Sequence, residues 1–307
     1  MQKKVSLAMA TYNGEKYIAE LLESLQNQTQ KPWEIIISDD CSTDKTIEII
    51  QRFKSSLNIK IIQNETNLGI NKNFEKAVQN CSGDYILICD QDDVWFPNNI
   101  EEKTRLLENL SNEKPALITT ASIITDQNLS PIRNLKLKSD IDNWQEQFTK
   151  CFQGTTMAFN RVLANKLNSW PESFKEFPYD YYIYLTALFT GKIYASSKAL
   201  MYYRTHSNNA SFKKSNIKAC LKKIIPFHRL YQDKISKVNI NRMNRVVQSL
   251  NSKDLNQPQL GCFSELKSCI KKEHISLINF FFIKQLPLKI RLRATIGLFI
   301  STLQKKQ

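Results

Sequence analysis

Histidine, glycine and long apolar runs are all scarce in this chain. It has only three histidines and seven cysteines in 307 residues. The cysteines (Cys41, Cys81, Cys89, Cys151, Cys220, Cys262, Cys269) form no CxxC pair, which excludes a zinc framework. They read as reduced, mostly buried thiols of a cytosolic protein. The seven glycines build neither GxGxxG nor GxxxxGK[ST], which excludes a dinucleotide fingerprint and a P-loop. A bound phosphate must therefore be held by a metal and side chains. No run approaches the ~20 apolar residues of a spanning helix. No charged-then-apolar leader precedes the first strand-like run, Val5 to Ala10, so the chain is expected on the cytoplasmic side of the membrane.

Acid is scarce in one region only. Residues 211–307 carry 20 Lys and Arg against 4 Asp and Glu, whereas residues 1–210 carry 23 against 25. The net charge of +14 is thus a property of the tail. This asymmetry suggests a domain over residues 1–212 followed by a basic extension over 213–307, with an anionic partner for the extension, either a bilayer surface or nucleic acid. Two short apolar segments favour the bilayer: Ile275 to Ile283, with three successive phenylalanines, and Ala294 to Leu303. Lys284, Lys289, Arg291 and Arg293 stand between them. Such a pattern suits a helix lying in the membrane interface. Against nucleic acid, residues 1–210 hold no RRM, KH or helix-turn-helix pattern.

The abundant feature is acid at one point. Asp90-Gln91-Asp92-Asp93 closes the apolar run Tyr85-Ile86-Leu87-Ile88 and precedes Trp95-Phe96-Pro97. Like charges this close raise one another's pKa unless a cation or a hydrogen-bonding ligand compensates them. Hard cations such as Mg²⁺ or Mn²⁺ prefer oxygen ligands and fill their remaining positions with water and substrate phosphate. A polar turn capping the helix that starts near Pro97 is the alternative on local sequence alone.

Short β-rich runs alternate with amphipathic helical stretches. They are Val5–Ala10 then Glu15–Gln26, Trp33–Ser38 then Asp44–Phe53, Ile59–Gln63 then Asn71–Asn80, and Tyr85–Cys89 then Asn98–Asn109, followed by Ala116–Thr120. That rhythm predicts βαβ units and a mostly parallel α/β sheet flanked by helices. Ligands bind such sheets at the carboxyl ends of the strands. The polar clusters sit there: Thr11-Tyr12-Asn13-Gly14, Asp39-Asp40-Cys41-Ser42, Asn67-Leu68-Gly69 and Asp90-Gln91-Asp92-Asp93. From Asp126 to Lys150 the pattern loosens into an irregular excursion. A helix is predicted over Tyr179–Thr190, and strands over Ile193–Ala195 and Ala199–Arg204.

These clusters, in this order and spacing, resemble glycosyltransferase family 2 enzymes of the GT-A fold. The second half adds Gly154-Thr155-Thr156-Met157-Ala158-Phe159-Asn160-Arg161, Tyr179-Asp180-Tyr181-Tyr182 and Tyr203-Arg204-Thr205-His206-Ser207-Asn208-Asn209. These are similar to the rhamnosyltransferase-like branch that builds bacterial surface polysaccharides. The likeness covers about residues 4–212.

The resemblance implies an inverting, metal-dependent transferase, with residues 1–110 as the nucleotide-binding half and 111–212 as the acceptor-binding half. The donor would be a dTDP- or UDP-sugar, first of all dTDP-L-rhamnose, or else a UDP-hexose or UDP-N-acetylhexosamine. The acceptor would be a saccharide, lipid-linked or free, and the enzyme would sit peripherally on the inner face of the cell membrane.

It further implies roles for single residues. Asp40 would accept from the imide N–H of a pyrimidine, a fitting partner because a carboxylate only accepts. Thr11, Tyr12 and Asn13 would border the base and ribose, with Asn67 and Gly69 shaping a turn beside them and Asn73 facing the base or the helix surface. Asp90 would bond the ribose and Asp92 the Mg²⁺ or Mn²⁺, with Asp93 behind them or capping a helix. Asp180 would be the general base, although Tyr179 stands where the family shows Glu or His. His206 would be a metal ligand or a donor to the leaving diphosphate, joined there by Arg204. Gly154 would permit close approach of a sugar or form a tight turn. Asp39 and Asp44 read as turn and helix-cap residues.

Overall fold

Val5, Leu7 and Met9 on one face of the first strand and Ser6 and Ala8 on the other are all buried, the pattern of a parallel strand covered on both sides. This strand, β1 (Val5–Thr11), is the centre of the first half of the molecule. The structure, a computed structural model, describes residues 3–110, 113–135, 152–167, 170, 178–207 and 209, with parts of 245–264. β1 pairs in parallel with β2 (Glu34–Asp39) and β4 (Tyr85–Asp90), and β2 with β3 (Ile59–Gln63). Helices α1 (Ile18–Gln26), α2 (Thr46–Arg52) and α3 (Ile70–Gln79) connect them. In α1 the buried residues Ile18, Leu21, Leu22 and Leu25 recur at helical spacing, a stripe that faces the sheet.

After β4 the chain makes the two-residue strand β5 (Val94–Trp95), helix α4 (Asn99–Glu108) and the long strand β6 (Ala116–Thr125). Strand β7 (Pro131–Leu135) folds back on β6. Next come a 3-10 turn over Gly154–Thr156, β8 (Met157–Asn160), α5 (Arg161–Lys166), α6 (Tyr179–Thr190) and β9 (Lys192–Arg204). Among the described residues the nine strands form one sheet in the order β3-β2-β1-β4-β8-β6-β9-β5, with β7 on β6. Strands 1–4, 6 and 9 run one way and β5, β7 and β8 run against them. The expected α/β architecture is therefore present.

Two sequence readings need correction. The excursion expected from Asp126 begins with an ordered hairpin. Asp126 Oδ1 accepts the N–H groups of Asn128 and Ser130, both at 2.9 Å, and the side chain so closes the turn between β6 and β7. The two strands read at Ile193–Ala195 and Ala199–Arg204 are one strand with register shifts against β6, since exposed Ser and Lys between them do not interrupt backbone pairing.

The chain divides into two compact units. One comprises residues 1–141 and 151–206, the other 142–150 and 207–307. The described part of the second includes a 3-10 turn at Ser252–Asp254 and the buried Val246. The apolar segments at 275–283 and 294–303 lie outside the described residues. No helix among the described residues is long and apolar enough to cross a membrane.

Candidate active site

The sheet brings the ends of β1, β2 and β4 side by side, and the loops that follow them interlock. Thr11 is buried and its hydroxyl donates to Asp39 Oδ1 at 2.7 Å. Asp39 also takes the Ser42 hydroxyl at 2.6 Å and the Ser42 N–H at 2.9 Å. Asn13 adopts φ 46°. Its N–H donates to Ser42 Oγ and its Oδ1 accepts from the Thr43 N–H, both at 2.9 Å. Asp44 takes the Thr46 N–H at 3.0 Å, the helix-end role expected of it.

Asp40 lies at the centre of this region. Its Oδ1 accepts the Leu68 N–H at 2.7 Å and the Asn64 amide at 3.0 Å, and its Oδ2 accepts the Gly69 N–H at 2.9 Å. A carboxylate has about four acceptor positions, so roughly one remains for a ligand. Gly69 has φ 80°, a conformation open to glycine, and this turn aims two successive amides at Asp40. The Asn67 amide reaches the Asp40 carbonyl at 3.4 Å. Asn73 is buried and bonded to the Thr11 carbonyl and to Asn64, so its amide braces the frame. Tyr12 is the open member of the group, with half its surface exposed.

A second cluster forms beyond β4. One carboxylate oxygen from each of Asp90, Asp92 and Asp93 lies within 4.8 Å of the others. Burial first, then the charge of Asp92, raises Asp90 to about 8. Asp93 is wholly buried and pushed well above the usual carboxylate range by burial and by its two acidic neighbours. Its Oδ1 takes the Arg204 N–H at 3.1 Å, while its Oδ2 has no hydrogen-bond partner. It therefore stands behind the loop and does not cap α4, whose N-cap is Asn98. Asp92 Oδ2 lies 2.9 Å from His206 Nε2, and the His206 ring leans on Tyr17 with centroids 4.7 Å apart. Crowded carboxylate oxygens with an imidazole nitrogen are a donor set that a divalent cation fits.

Asp180 opens α6 beside this cluster, close enough that its charge adds to the rise of Asp90. Its carboxylate accepts the Tyr181 N–H at 2.7 Å and the Gly154 N–H, yet burial still lifts it to about 6.

Two expectations are corrected here. Arg204 is buried, and Nε, Nη1 and Nη2 donate to the Asp92 carbonyl, the Gln127 carbonyl and Glu20 at 2.8, 2.6 and 2.8 Å. The guanidinium holds the carboxylate loop from behind; it does not present itself to a leaving group. Gly154 opens the 3-10 turn Gly154–Thr156, as the second of its two readings has it, and the space beside it is taken by a protein side chain in place of a sugar: a Cβ there would lie 2.2 Å from the Tyr179 hydroxyl oxygen.

The structure also brings in residues that the sequence reading passed over. Gln91 clasps Tyr12 by both backbone groups, accepting its N–H at 2.9 Å and donating to its carbonyl at 3.0 Å. Lys103 is wholly buried on α4, its ammonium 3.2 Å from the Thr155 carbonyl and 4.7 Å from the centre of the Trp95 ring. Burial lowers it to about 7.

Residues 6–167 match the model of glycosyl transferase family 2. The chain belongs to this family. The dTDP-rhamnosyl transferase RfbG of Shigella flexneri is 27% identical over 253 residues, which are 75% of this chain and 83% of that protein. The poly(ribitol-phosphate) β-N-acetylglucosaminyltransferase TarS of Staphylococcus aureus is 42% identical over 108 residues, 34% of this chain but only 19% of that protein. Several curated relatives are, like TarS, matched over less than half of their length.

The solved structure of TarS residues 1–349 with UDP-GlcNAc aligns at a TM-score of 0.57 and 23% identity, covering 96% of this chain and 79% of that one. A mannosyltransferase of Pyrobaculum calidifontis, solved with GDP-Man and Mn²⁺, aligns at 0.52 and 15% identity over 100% of this chain and 89% of that one. These likenesses establish the GT-A fold.

Proposed function

We propose that this chain is an inverting glycosyltransferase that moves a sugar from a dTDP- or UDP-activated donor to a saccharide acceptor in bacterial surface-polysaccharide synthesis. The observation that carries the reading is the closeness of Asp180 to the Asp90–Asp92–Asp93 cluster, near enough for its charge to act on Asp90. Inversion needs a proton acceptor on the acceptor's side and a stabilised diphosphate on the other.

In this reading Asp40 takes the imide N–H of the base, using the acceptor position left open by Leu68, Gly69 and Asn64. Tyr12 lies along the base and Asp90 takes a ribose hydroxyl. Asp92 and His206 would hold Mg²⁺ or Mn²⁺, which when bound supplies positive charge to the departing diphosphate. Asp180 takes the acceptor proton. Its elevated pKa makes it a stronger base than an exposed carboxylate while leaving it ionised near neutral pH.

Rhamnose is the first choice of sugar, because the likeness to RfbG extends over three quarters of the chain. N-Acetylglucosamine from UDP is the second reading, favoured by the higher identity to TarS over a shorter span. Calorimetric titration of dTDP, UDP and their sugar conjugates with Mn²⁺ present decides between them. Binding of none of these refutes the proposal.

Residues 1–212 form the catalytic part, and the basic tail of 213–307 holds it on an anionic membrane surface near a lipid-linked acceptor. Sedimentation with anionic liposomes should therefore fall as salt rises. Equal sedimentation with neutral liposomes would remove the role of the tail's charge, absence of sedimentation with either would remove the membrane role, and preference for DNA would replace it.

A further inference from the structure

Tyr179 is held on three sides. Its backbone N–H donates to Asn71 Oδ1 at 3.0 Å, its ring stacks on Phe74 with centroids 4.0 Å apart at 24°, and its hydroxyl reaches Asp90 Oδ1 at 3.3 Å. Asn71 and Phe74 both belong to α3, and the residues directly before that helix, Leu68 and Gly69, supply the amides that grip Asp40. The ring lies so close over Gly154 that any side chain there would collide with it, and the same glycine's N–H is bonded to Asp180. One tyrosine thus touches the strand end carrying the carboxylates, the helix bordering the nucleotide pocket and the turn that anchors Asp180.

We propose that Tyr179 is a positioning residue that fixes the Asp90 carboxylate for the nucleotide through its hydroxyl, with Gly154 as the space that admits the ring. The inference rests on the nucleotide-sugar reading above. The chemistry favours a phenol at this point. A carboxylate in place of Tyr179 would add a negative charge beside Asp90, Asp92 and Asp180, whereas a neutral hydroxyl fixes the direction of Asp90 without adding charge. The packing on Phe74 and Gly154 limits the ring's rotation, so the hydroxyl is aimed before the ligand arrives. Little ordering is then left to be done at binding.

The test uses the full-length chain and calorimetric titration of UDP and dTDP with Mn²⁺. Tyr179→Phe keeps the ring, its stacking and its volume and removes only the hydroxyl, so the melting temperature should hold while affinity for whichever nucleotide the parent binds falls about tenfold. In an Asp90→Ala background the same substitution should have no further effect, because a residue acting through the Asp90 carboxylate has nothing left to position. Gly154→Ala displaces the ring by another route and should reproduce the loss. Unchanged or tighter binding in a folded Tyr179→Phe or Gly154→Ala variant overturns the proposal, as does an additive loss in the Asp90→Ala background. A parent chain that binds neither nucleotide refutes the glycosyltransferase reading itself, an outcome distinct from a parent that binds and a variant that binds equally well.

Discussion

The ends of β2 and β4 flank β1, and both carry paired acids, yet the fold treats the two pairs in opposite ways. At β2 each carboxylate is surrounded by donors: Asp39 by two hydroxyls and an N–H, Asp40 by two backbone N–H groups and an amide. At β4 burial removes water and sets the carboxylates against one another, with fewer donors in return: the Tyr179 hydroxyl on Asp90 and the Arg204 N–H on Asp93. Asp90 rises to about 8 and Asp93 keeps a buried oxygen with no partner. A carboxylate satisfied by its own loops costs little to bury and serves as a rigid template. One that is desolvated among like charges is held at a cost of several kcal/mol that a cation can offset. The same residue type is thus satisfied by its own loops at one strand end and crowded among like charges at the other, and the proposed roles of base recognition and ion binding rest on that difference.

The sharpest way to break that contrast is at Asp92. Asp92→Asn should abolish Mn²⁺ binding and reduce turnover by about 10³, the scale for losing a charge-stabilising group at a reacting centre, while the fold survives. Paramagnetic resonance of Mn²⁺ and a turnover assay with a dTDP- or UDP-sugar read both effects. Asp39→Asn provides the opposing measurement: its main loss should be in melting temperature. If the two variants behave alike, the distinction between template and ion site is wrong.

Asp180→Asn separates chemistry from binding. Nucleotide affinity should persist while kcat falls by roughly 10²–10⁴, the usual contribution of a general base. In the parent, activity should rise with pH through about 6, because Asp180 must be ionised to accept a proton. Stability should move in the other direction. The folded pKa lies above the ordinary value of 3.8, so the fold binds the extra proton between about 4 and 6 and loses stability as pH climbs through that window. Asp180→Asn cannot ionise, so it should melt higher than the parent at pH 8 and match it at pH 4. A kcat that is flat across pH 5–7 would reassign the residue.

Asp40→Ala tests the satisfied end. Affinity for the nucleotide should weaken by ~1.5–3 kcal/mol, the range for hydrogen bonds to a charged group. The melting temperature should drop as well, since the Leu68 and Gly69 amides lose their acceptor. Unchanged affinity for both dTDP and UDP would leave Asp40 a purely structural anchor.

Much of this was legible in the residues. β1, β2 and β4 announce themselves because strands buried on both faces read as apolar runs, β3 shows as three isoleucines in five residues although it lies at the sheet edge, and the polar clusters mark their ends. β5 was beyond reach, since two residues carry no periodicity. The excursion after Asp126 was misread because its order depends on one aspartate closing a turn and on pairing with a strand five residues longer than its apolar start suggests. Arg204 stands in a motif whose neighbours point to chemistry, but whether a guanidinium faces the cleft or the interior is settled by Glu20 and Gln127, far off in sequence. Gly154 and Tyr179 each looked like a local feature. Their fit to one another is a tertiary fact, and a lone chain without its variants shows no sign of it.

Lys103 was invisible for a related reason. Glu101, Glu102 and Arg105 surround it in sequence like the solvated face of a helix, yet it is wholly buried beneath the acidic loop. Its folded pKa of about 7 is below the ordinary 10.5, so at pH 6 the fold bears the full cost of a buried ammonium. Stability is regained as pH rises from about 7 toward 10.5, where the unfolded chain holds the extra proton. Lys103→Met keeps the volume and removes the charge, so its melting temperature should exceed the parent's by roughly 4 °C at pH 6. The advantage should shrink steadily by pH 9, where only the hydrogen bond to the Thr155 carbonyl is missing. The experiment sharpens the comparison between the two strand ends, because the charge of Asp93 acts on this buried ammonium, which is placed to compensate the cluster from within. A Lys103→Met variant less stable than the parent at every pH would show that the ammonium already does so, and the β4 end would then be satisfied in the same sense as the β2 end.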